Sequence, residues 1–308
     1  MRILFMGTPD FAVPSLKDLI EAGHEICGVF TQPDKPKNRG MKLQAPPVKE
    51  VAITHDIPVY QPVSVKDGTA LEIIEQLAPE LIVVAAYGRI LPNSILEYPE
   101  TGCINVHSSL LPKFRGAAPI HWAVISGETE TGVTIMHMAQ ELDAGDIIDQ
   151  VTTPIDPDES VEAVHDRLAE LGGKLLVDVV AKIADGTATR TPQDSSQATY
   201  ASMLSREMSK VDWDMPAKAI HDKIRGLSPW PAASTDVISG DTIKLFGSVN
   251  TGESTSAQPG TIVAAGKQGI DIACGDGKIL RIVQLQAAGG KRMAAADYLR
   301  GHSVQVGV

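Results

Sequence analysis

The sequence predicts an α/β protein in which a mostly parallel β-sheet with helices is followed by a small β-barrel. Two patterns support this prediction. Up to residue 184, short apolar runs alternate with longer amphipathic runs, as in successive βαβ units. From residue 243, short β-like runs are separated by Gly-rich turns, which is typical of a small barrel. The 308 residues are enough for two domains with a core each.

In the first part of the chain, strands and helices are predicted in alternation. The apolar runs predict strands at 2–6, 25–31, 59–61, 81–86, 102–107, 131–138 and 146–153. The amphipathic runs predict helices at 11–22, 46–55, 68–77, 117–126 and 161–184. The run Leu81–Ala86 is apolar throughout, as expected for a parallel strand that is covered on both faces. We therefore expect an open, Rossmann-like sheet that binds ligands at the carboxyl ends of its strands.

The second part of the chain begins after a segment without a core-forming pattern. Residues 186–208 are rich in Thr, Ser, Ala and Gln, which indicates a linker. A helix is predicted at 217–225, and strands at 243–246, 260–264, 269–273 and 279–284. The predicted organisation is an N-terminal domain at 1–188, a linker at 189–208 and a C-terminal domain at 209–308. The C-terminal domain is expected to be OB-like.

Charge is distributed unevenly along the chain. The net charge of −11 argues against a nucleic-acid partner at first sight, because phosphate contacts need Lys and Arg. However, residues 126–170 alone hold twelve carboxylates and one cation, Arg167. Residues 205–308 carry a net charge of +2, and residues 31–50 a net charge of +3. The acidic total therefore does not exclude a nucleic-acid partner that contacts only a minority of the chain.

Apolar runs and cysteines indicate where the protein resides. The longest apolar run, Leu81–Ala86, is far shorter than the roughly 20 residues of a membrane span. The N-terminus lacks the pattern of a signal peptide. Cys27, Cys103 and Cys274 are too few and too scattered for a disulfide framework or a zinc cluster. We expect a cytoplasmic protein that needs no metal and contacts no membrane.

The turn after the first strand excludes one common class of enzyme. Gly7-Thr8-Pro9 stands where a dinucleotide-binding fold would place its phosphate loop. Pro9 occupies the position of the second glycine of that motif, and proline has no N–H to offer a phosphate. A nicotinamide-dependent oxidoreductase is therefore disfavoured, and the segment is interpreted as a tight strand-to-helix turn.

Three polar residues are the candidates for catalysis. Asn105 and His107 lie two residues apart at the end of a predicted strand, so their side chains share one face. Asp143 belongs to a carboxylate-rich turn between two later strands. Converging, these groups would supply an oxyanion donor, an acid/base and its orienting carboxylate. Each could also be structural: a satisfied core histidine, a strand-end cap and a solvated acid.

At these residues the sequence resembles the folate-dependent formyltransferases. The signature of that family is Asn-x-His on a strand and a later Asp in an L-D-x-G-D turn, which stand here as Asn105-Val106-His107 and Leu142–Asp146. The chain has Ser108 and Ala144 where the family often has Gly and Thr, which are also small. Further similarity, to the members that formylate methionyl-tRNA, covers nearly the whole chain, including 5–12, 28–49, 85–92, 104–120, 130–138, 212–217, 224–231, 259–262 and 268–277.

The resemblance implies a reaction and the residues that perform it. The formyl group of 10-formyltetrahydrofolate would pass to the α-amino group of methionine on initiator methionyl-tRNA. Asn105 would hydrogen-bond the oxyanion, His107 would stabilise it and shuttle a proton, and Asp143 would orient His107. The folate pocket would be lined by the turn Ser109, Leu110, Leu111 and Pro112. Contacts with tRNA are expected from Lys35, Arg39, Lys42, Lys210 and Arg225, in a chain that acts as a monomer.

Two other functions remain compatible with these residues. A formyltransferase for a small amine would use the same three polar groups, but it would not explain the basic stretch between Lys35 and Lys49. A non-catalytic RNA-binding protein on the same scaffold would not need all three polar groups. Release of tetrahydrofolate with charged tRNA, with small amines or with neither distinguishes the three.

Overall fold

The fold is described from a computed structural model, which covers residues 1–37 and 42–307. Two compact units can be distinguished, and each is discontinuous in sequence. The first, here the catalytic unit, comprises Met1–Gly116, Thr131–Thr153 and His165–Tyr200. The second unit comprises Ala117–Glu130, Pro154–Val164 and Ala201–Val308. The second unit thus contains two stretches of chain that precede the predicted C-terminal domain.

A seven-stranded sheet forms the centre of the catalytic unit within the described residues. Its strands are β1 (Arg2–Gly7), β2 (Glu25–Phe30), β5 (Val59–Tyr60), β6 (Leu81–Ala85), β7 (Cys103–His107), β9 (Glu130–His137) and β10 (Ile147–Pro154). The spatial order is β10-β9-β7-β6-β1-β2-β5. The pairs β1–β2, β1–β6, β6–β7 and β2–β5 are parallel, whereas β9 runs antiparallel to β7. The predicted mostly parallel sheet is confirmed.

Helices connect these strands as the apolar periodicity predicts. They are α1 (Ala12–Glu21), α2 (Pro47–Thr54), α3 (Thr69–Leu77), α4 (Asn93–Leu96), α5 (Pro119–Ile125) and α6 (Val161–Ala184). Helix α1 buries Ala12, Leu16 and Leu19, which recur at helical spacing and cover the sheet. On α6, a Cβ at Gly172 would meet the Cγ1 methyl of Val106. This glycine therefore lets α6 lie directly against strand β7, which carries the candidate catalytic residues.

The second unit contains its own antiparallel sheet, which confirms the predicted all-β character of this part. Its strands are β12 (Ala233–Thr235), β13 (Ile243–Ser254), β14 (Ile262–Gly266), β15 (Gly269–Ala273), β16 (Lys278–Gln286) and β17 (Met293–Ala294), with helices α7 (Ala217–Gly226) and α8 (Ala295–Tyr298). The order is β12-β13-β16-β15-β14, with β17 paired to β16. Ile220 and Ile224 of α7 are buried in the same core as Leu245 and Ile270 of the sheet.

Some short elements lie where the sequence predicts loops. Strands β3 (Lys35–Lys37) and β4 (Lys42–Gln44) form a hairpin, although Lys and Pro are poor strand formers. Strands β8 (Arg115–Gly116) and β11 (Tyr200–Ala201) are two residues each, and the segment predicted to be a linker also contains short 3₁₀ turns at Ser195–Gln197 and Arg206–Ser209. Of the helices in the described part of the chain, none is long and apolar enough to cross a bilayer.

Candidate active site

The carboxyl ends of the parallel strands lie level with each other. The register pairs Gly7 of β1 with Ala85 of β6, and Ala85 in turn with Val106 of β7. Side chains tie these ends together: the Thr8 hydroxyl donates to the carbonyl of Tyr87 at 3.2 Å, and the Gln32 amide donates to the same carbonyl at 3.1 Å. In open α/β sheets this edge is where ligands bind.

Asn105 and His107 lie at this edge, on the last three residues of β7. His107 is buried, and its Nε2 lies 3.0 Å from the carbonyl oxygen of Phe114. Asn105 is half-buried, and its amide makes no hydrogen bond to any residue within the described ranges. Since amides usually find a partner when they are inside a protein, a half-buried amide at a ligand edge is free to donate to a bound substrate.

Asp143 approaches His107 from the turn between β9 and β10. Its Oδ2 lies 3.8 Å from Nδ1 of His107 and accepts a hydrogen bond from the backbone N–H of Gly116 at 2.8 Å. The side chains of His107 and Asp143 are only 6% and 12% exposed. Asp143 has a φ of 51°, in the left-handed region that L-residues rarely adopt. The structure thus brings together two of the residues that the sequence singles out.

The hydrogen bonds determine which nitrogen of His107 can take up a proton. A carbonyl oxygen only accepts, so the proton shared with Phe114 belongs to Nε2. In the neutral ring, Nδ1 is then unprotonated, and it faces the carboxylate of Asp143. A proton taken up at Nδ1 would lie between the ring and the carboxylate. The pair is therefore arranged to accept one proton from a reacting group.

Neighbouring titratable groups are held uncharged by burial. Burial raises the pKa of the Cys103 thiol, on the same strand, to about 12, so this thiol stays protonated and is a poor nucleophile. Burial, with the nearby Arg190, lowers the pKa of His137 on β9 below its ordinary value, so this ring is neutral at pH 7. The site therefore consists of an amide, an imidazole and a carboxylate without a reactive thiol on the strand.

The turn that the resemblance assigns to folate is held from beneath. Ser109 and Leu111 are buried, whereas Leu110 and Pro112 are half-buried. The hydroxyl of Ser109 donates to the carbonyl of Lys113 at 2.6 Å and is therefore occupied within the turn. Thr134 donates to the carbonyl of Ser109 at 2.6 Å and accepts from the N–H of Leu111 at 3.1 Å. Sequence reasoning missed Thr134, which nothing in a β-strand pattern distinguishes from an ordinary strand residue.

Most of the basic loop is anchored by its own base. Lys49 donates to both carboxylate oxygens of Asp34, at 2.8 and 2.9 Å, and to the amide oxygen of Gln61 at 2.9 Å. Lys35 is exposed and donates to Gln32 at 3.1 Å. Arg39 lies outside the described residues, and Lys42 is placed by its backbone in β4.

The two basic residues predicted from the second unit differ from each other. Lys210 is exposed, with its Nζ 3.7 Å from Oδ2 of Asp236. Arg225 is buried: its Nε donates to Asp222 at 2.8 Å, and its Nη1 donates to the carbonyls of Asp156 and Glu159 at 3.2 and 2.9 Å. An arginine whose donors are used inside the unit has a structural role, which argues against the expected tRNA contact at this position.

The site and the fold together define the class of enzyme. Residues 1–180 match the family model described as "Formyl transferase", and residues 203–303 match the model described as "Formyl transferase, C-terminal domain". Within the part of the chain that the structure covers, no group of three His, Cys, Asp or Glu side chains could hold a metal ion. The class is therefore that of the formyl transferases, enzymes that use formyltetrahydrofolate as the donor.

Relatives over the full length narrow this class. A methionyl-tRNA formyltransferase of Trichlorobacter lovleyi is 50% identical over 307 residues, which cover 99% of this chain and 96% of the relative. The same enzyme of Moorella thermoacetica is also 50% identical, over 100% of this chain and 98% of the relative. The chain belongs to the family of methionyl-tRNA formyltransferases.

Solved structures with a similar fold are more distant in sequence. An N-formyltransferase of Helicobacter canadensis, in complex with folinic acid and dTDP-3-aminofucose, has a TM-score of 0.69 at 20% identity, over 92% of this chain and 98% of that one. HypX of Aquifex aeolicus in complex with tetrahydrofolic acid has a TM-score of 0.63 at 20% identity, over 97% of this chain and 47% of that one. These similarities show a shared fold.

Proposed function

We propose that this enzyme transfers the formyl group of 10-formyltetrahydrofolate to the α-amino group of methionine on initiator methionyl-tRNA. The product, N-formylmethionyl-tRNA, serves translation initiation in the cytoplasm. The observation that carries the proposal is the approach of His107 Nδ1 to within 3.8 Å of Asp143 Oδ2, beside the unoccupied donors of Asn105. Relatives that bear the name of this activity are 50% identical over the whole chain.

The chemistry needs positioning, oxyanion stabilisation and proton transfer. A free α-amine has a pKa of about 7.7–8.0, so a usable fraction is neutral at cellular pH. The amine attacks the formyl carbon, a tetrahedral oxyanion forms, and its collapse breaks the bond to N10 and releases tetrahydrofolate. The proton that the amine loses must reach the leaving nitrogen.

Each of the three residues suits one of these tasks. The Asn105 amide donates to the oxyanion, which is the position where negative charge develops. His107 takes the amine proton at Nδ1 and delivers it, and Asp143 orients the ring and stabilises the imidazolium form. The carboxylate in turn is held by the N–H of Gly116 at 2.8 Å. The turn 109–112 lines the folate pocket through its backbone and the side chains of Leu110 and Pro112.

One assay tests this function against its alternatives. The purified protein is incubated with 10-formyltetrahydrofolate and either charged initiator tRNA, free methionine or an amino sugar nucleotide, and tetrahydrofolate release is followed. Release that depends on methionyl-tRNA supports the proposal. Release with a small amine and none with the tRNA would replace it with a small-amine formyltransferase, and release with no acceptor amine would leave only an RNA-binding role.

Contacts with tRNA are proposed for Lys35, Arg39, Lys42 and Lys210. Each phosphate contact lowers the slope of log affinity against log salt by roughly 0.7–0.9. Filter binding over a salt series should therefore show a shallower slope for Lys210→Met and for Lys35→Met than for the wild type. Lys17→Met, at an exposed position of α1, is the matched control and should keep the wild-type slope. A wild-type affinity that does not depend on salt would refute the phosphate contacts.

The active form is proposed to be a monomer. Light scattering at the protein concentrations of the assay should give the mass of one chain, 32.7 kDa, with and without tRNA-free folate. A specific activity that rises with protein concentration, together with a doubled mass, would contradict this part of the proposal.

A further inference from the structure

The side chain of Gln193 lies against the turn that carries Asp143. Its Nε2 donates to the carbonyl oxygen of Asp143 at 2.9 Å and to that of Gly145 at 2.7 Å. Its Oε1 accepts from Nε and Nη2 of Arg115, at 3.1 and 2.9 Å. Gln193 belongs to the segment whose composition indicates a linker, and none of the roles described above includes it.

The chemistry of these contacts requires an amide at this position. The two carbonyl oxygens only accept hydrogen bonds, and the guanidinium of Arg115 only donates them. A side chain that bridges the two must offer donors at one end and an acceptor at the other, which a primary amide does. A carboxylate would keep the bonds to Arg115 but lose both donors toward Asp143 and Gly145, and a thioether would lose all four contacts.

Arg115 makes this bridge a fixed one. The residue is 1% exposed, and its Nη2 also lies 3.4 Å from the hydroxyl of Ser195. Its backbone N–H donates to the carbonyl of Thr199 at 2.8 Å, and the next residue, Gly116, donates its N–H to Oδ2 of Asp143. The two residues of β8 therefore hold Asp143 in two ways: Gly116 binds the carboxylate directly, and Arg115 holds the backbone through Gln193.

The turn needs such support because its backbone is strained. Asp143 has a φ of 51°, and a non-glycine residue in the left-handed region costs about 1–2 kcal/mol. A strained conformation persists only where the surrounding structure holds it. Rotation of the turn toward an ordinary φ would carry the carboxylate away from its place 3.8 Å from His107.

We infer that Gln193 is a positioning residue for formyl transfer, and that its amide keeps the 143–145 turn in the conformation that places the Asp143 carboxylate beside His107. The inference rests on the proposed function, since the reaction it serves is the one proposed above. Gln193 contacts neither His107 nor Asn105 among its described hydrogen bonds, so its effect on the reaction passes through Asp143.

Two variants and a matched control test the inference. In Gln193→Glu the bonds to Arg115 can remain while both donors to the turn are lost, and we expect kcat to fall roughly 10- to 100-fold at a KM within about twofold of wild type for both substrates. Gln193→Met, which lacks all four contacts, should lose at least as much. Gln197→Glu is the control, because Gln197 lies in the same segment and donates only to Asp194, at 2.8 Å. Its kcat should be unchanged.

A double-mutant cycle separates positioning from a general structural role. If Gln193 acts through Asp143, Gln193→Glu should cause little further loss of kcat once Asp143→Asn is present. Losses that multiply across the two sites, or a kcat of Gln193→Glu equal to that of the wild type, would overturn the inference.

Hydrogen exchange supplies a readout that needs no substrate. Amides in the segment 141–146 and that of Gly116 should exchange faster in Gln193→Glu than in wild type or Gln197→Glu, with the rest of the sheet unchanged. If the wild type fails to formylate methionyl-tRNA, the proposed function falls, and the exchange data still show whether Gln193 holds the turn. Unchanged exchange in both Gln193 variants would overturn the inference whatever the activity.

Discussion

The Nδ1 atom of His107 and the Oδ2 atom of Asp143 lie 3.8 Å apart, although the two residues belong to different elements of the catalytic unit. His107 ends strand β7, whereas Asp143 sits in the turn between β9 and β10. The antiparallel pairing of β7 with β9 sets Ile104 opposite His137, so the chain that leaves β9 turns back over the carboxyl end of β7. The topology of the sheet edge thus creates the pair.

Replacing either member of the pair should abolish most of the activity and leave the fold intact. We expect His107→Ala and Asp143→Asn to lower kcat by roughly two or more orders of magnitude, because each removes the acid/base or its orienting group. Steady-state formylation of methionyl-tRNA measures this, and the melting temperature should change little. Asp185→Asn, at an exposed position of the same unit, is the control. Near-wild-type turnover of either site variant would contradict the assignment.

Gly145 should tolerate no side chain, because the backbone passes too close to it. A Cβ at this position would collide with the carbonyl oxygen of His137, which is backbone and cannot move aside. Gly145→Ala should therefore displace the Asp143 turn, and a misplacement of about 1 Å can cost on the order of 100-fold in rate. We expect a large loss of kcat together with a lower melting temperature.

The control for Gly145→Ala is Gly266→Ala, at the end of β14. No heavy atom lies within 4 Å of a Cβ built there, so we expect an unfolding free energy within about 0.5 kcal/mol of wild type. Equal activity of the two glycine variants would show that the turn does not depend on its close contact with His137.

The sequence predicts the sheet and the catalytic residues better than it predicts what holds them. Apolar runs such as Leu81–Ala85 determine the strands, and the edge rule for parallel sheets places His107 at the ligand side. Gln193 could not be found in this way, because a single amide in a Thr/Ser-rich segment belongs to no periodic pattern. The burial of Arg225 was also beyond prediction, since arginines are mostly exposed unless paired, and its partners come from distant parts of the chain.

Stability should depend on pH through Asp34, at the base of the basic loop. The hydrogen bond from Lys49, with that from Gln61, holds the pKa of the Asp34 carboxyl below its usual range in the folded state. The unfolded state then binds the proton more readily, so the contribution of Asp34 to stability is present above its unfolded pKa and is lost as pH falls through the folded pKa.

Asp34→Asn isolates this contribution. The difference in unfolding free energy between wild type and Asp34→Asn should be larger at about pH 6 than at about pH 3, because only the ionised carboxyl profits from Lys49. Urea titrations at the two pH values measure it. Asp67→Asn serves as a control for a general effect of removing a carboxylate from the exposed surface of the same unit. A difference that is independent of pH would contradict the role of the Asp34–Lys49 pair.

The strongest stability effect should come from the buried ion pair of α7. Asp222 and Arg225 are 3% and 7% exposed; the Nε and Nη2 of Arg225 lie 2.8 and 2.7 Å from Asp222 Oδ1. Removing one partner leaves an uncompensated buried charge, which costs about 3–5 kcal/mol. Arg225→Met should cost more than Asp222→Asn, because it also strips the carbonyls of Asp156 and Glu159 of a donor.

Lys218 provides the matched control within the same cluster. Its Nζ lies 2.6 Å from the other oxygen of Asp222, but its side chain is 67% exposed, so Lys218→Met should cost no more than about 1 kcal/mol. Denaturant unfolding of the three variants ranks these effects, and tRNA binding under native conditions supplies a second readout. If Arg225 contacts phosphate rather than Asp222, Arg225→Met would weaken tRNA binding in a salt-dependent way and leave the unfolding free energy unchanged, which is the reverse of what burial of its guanidinium requires.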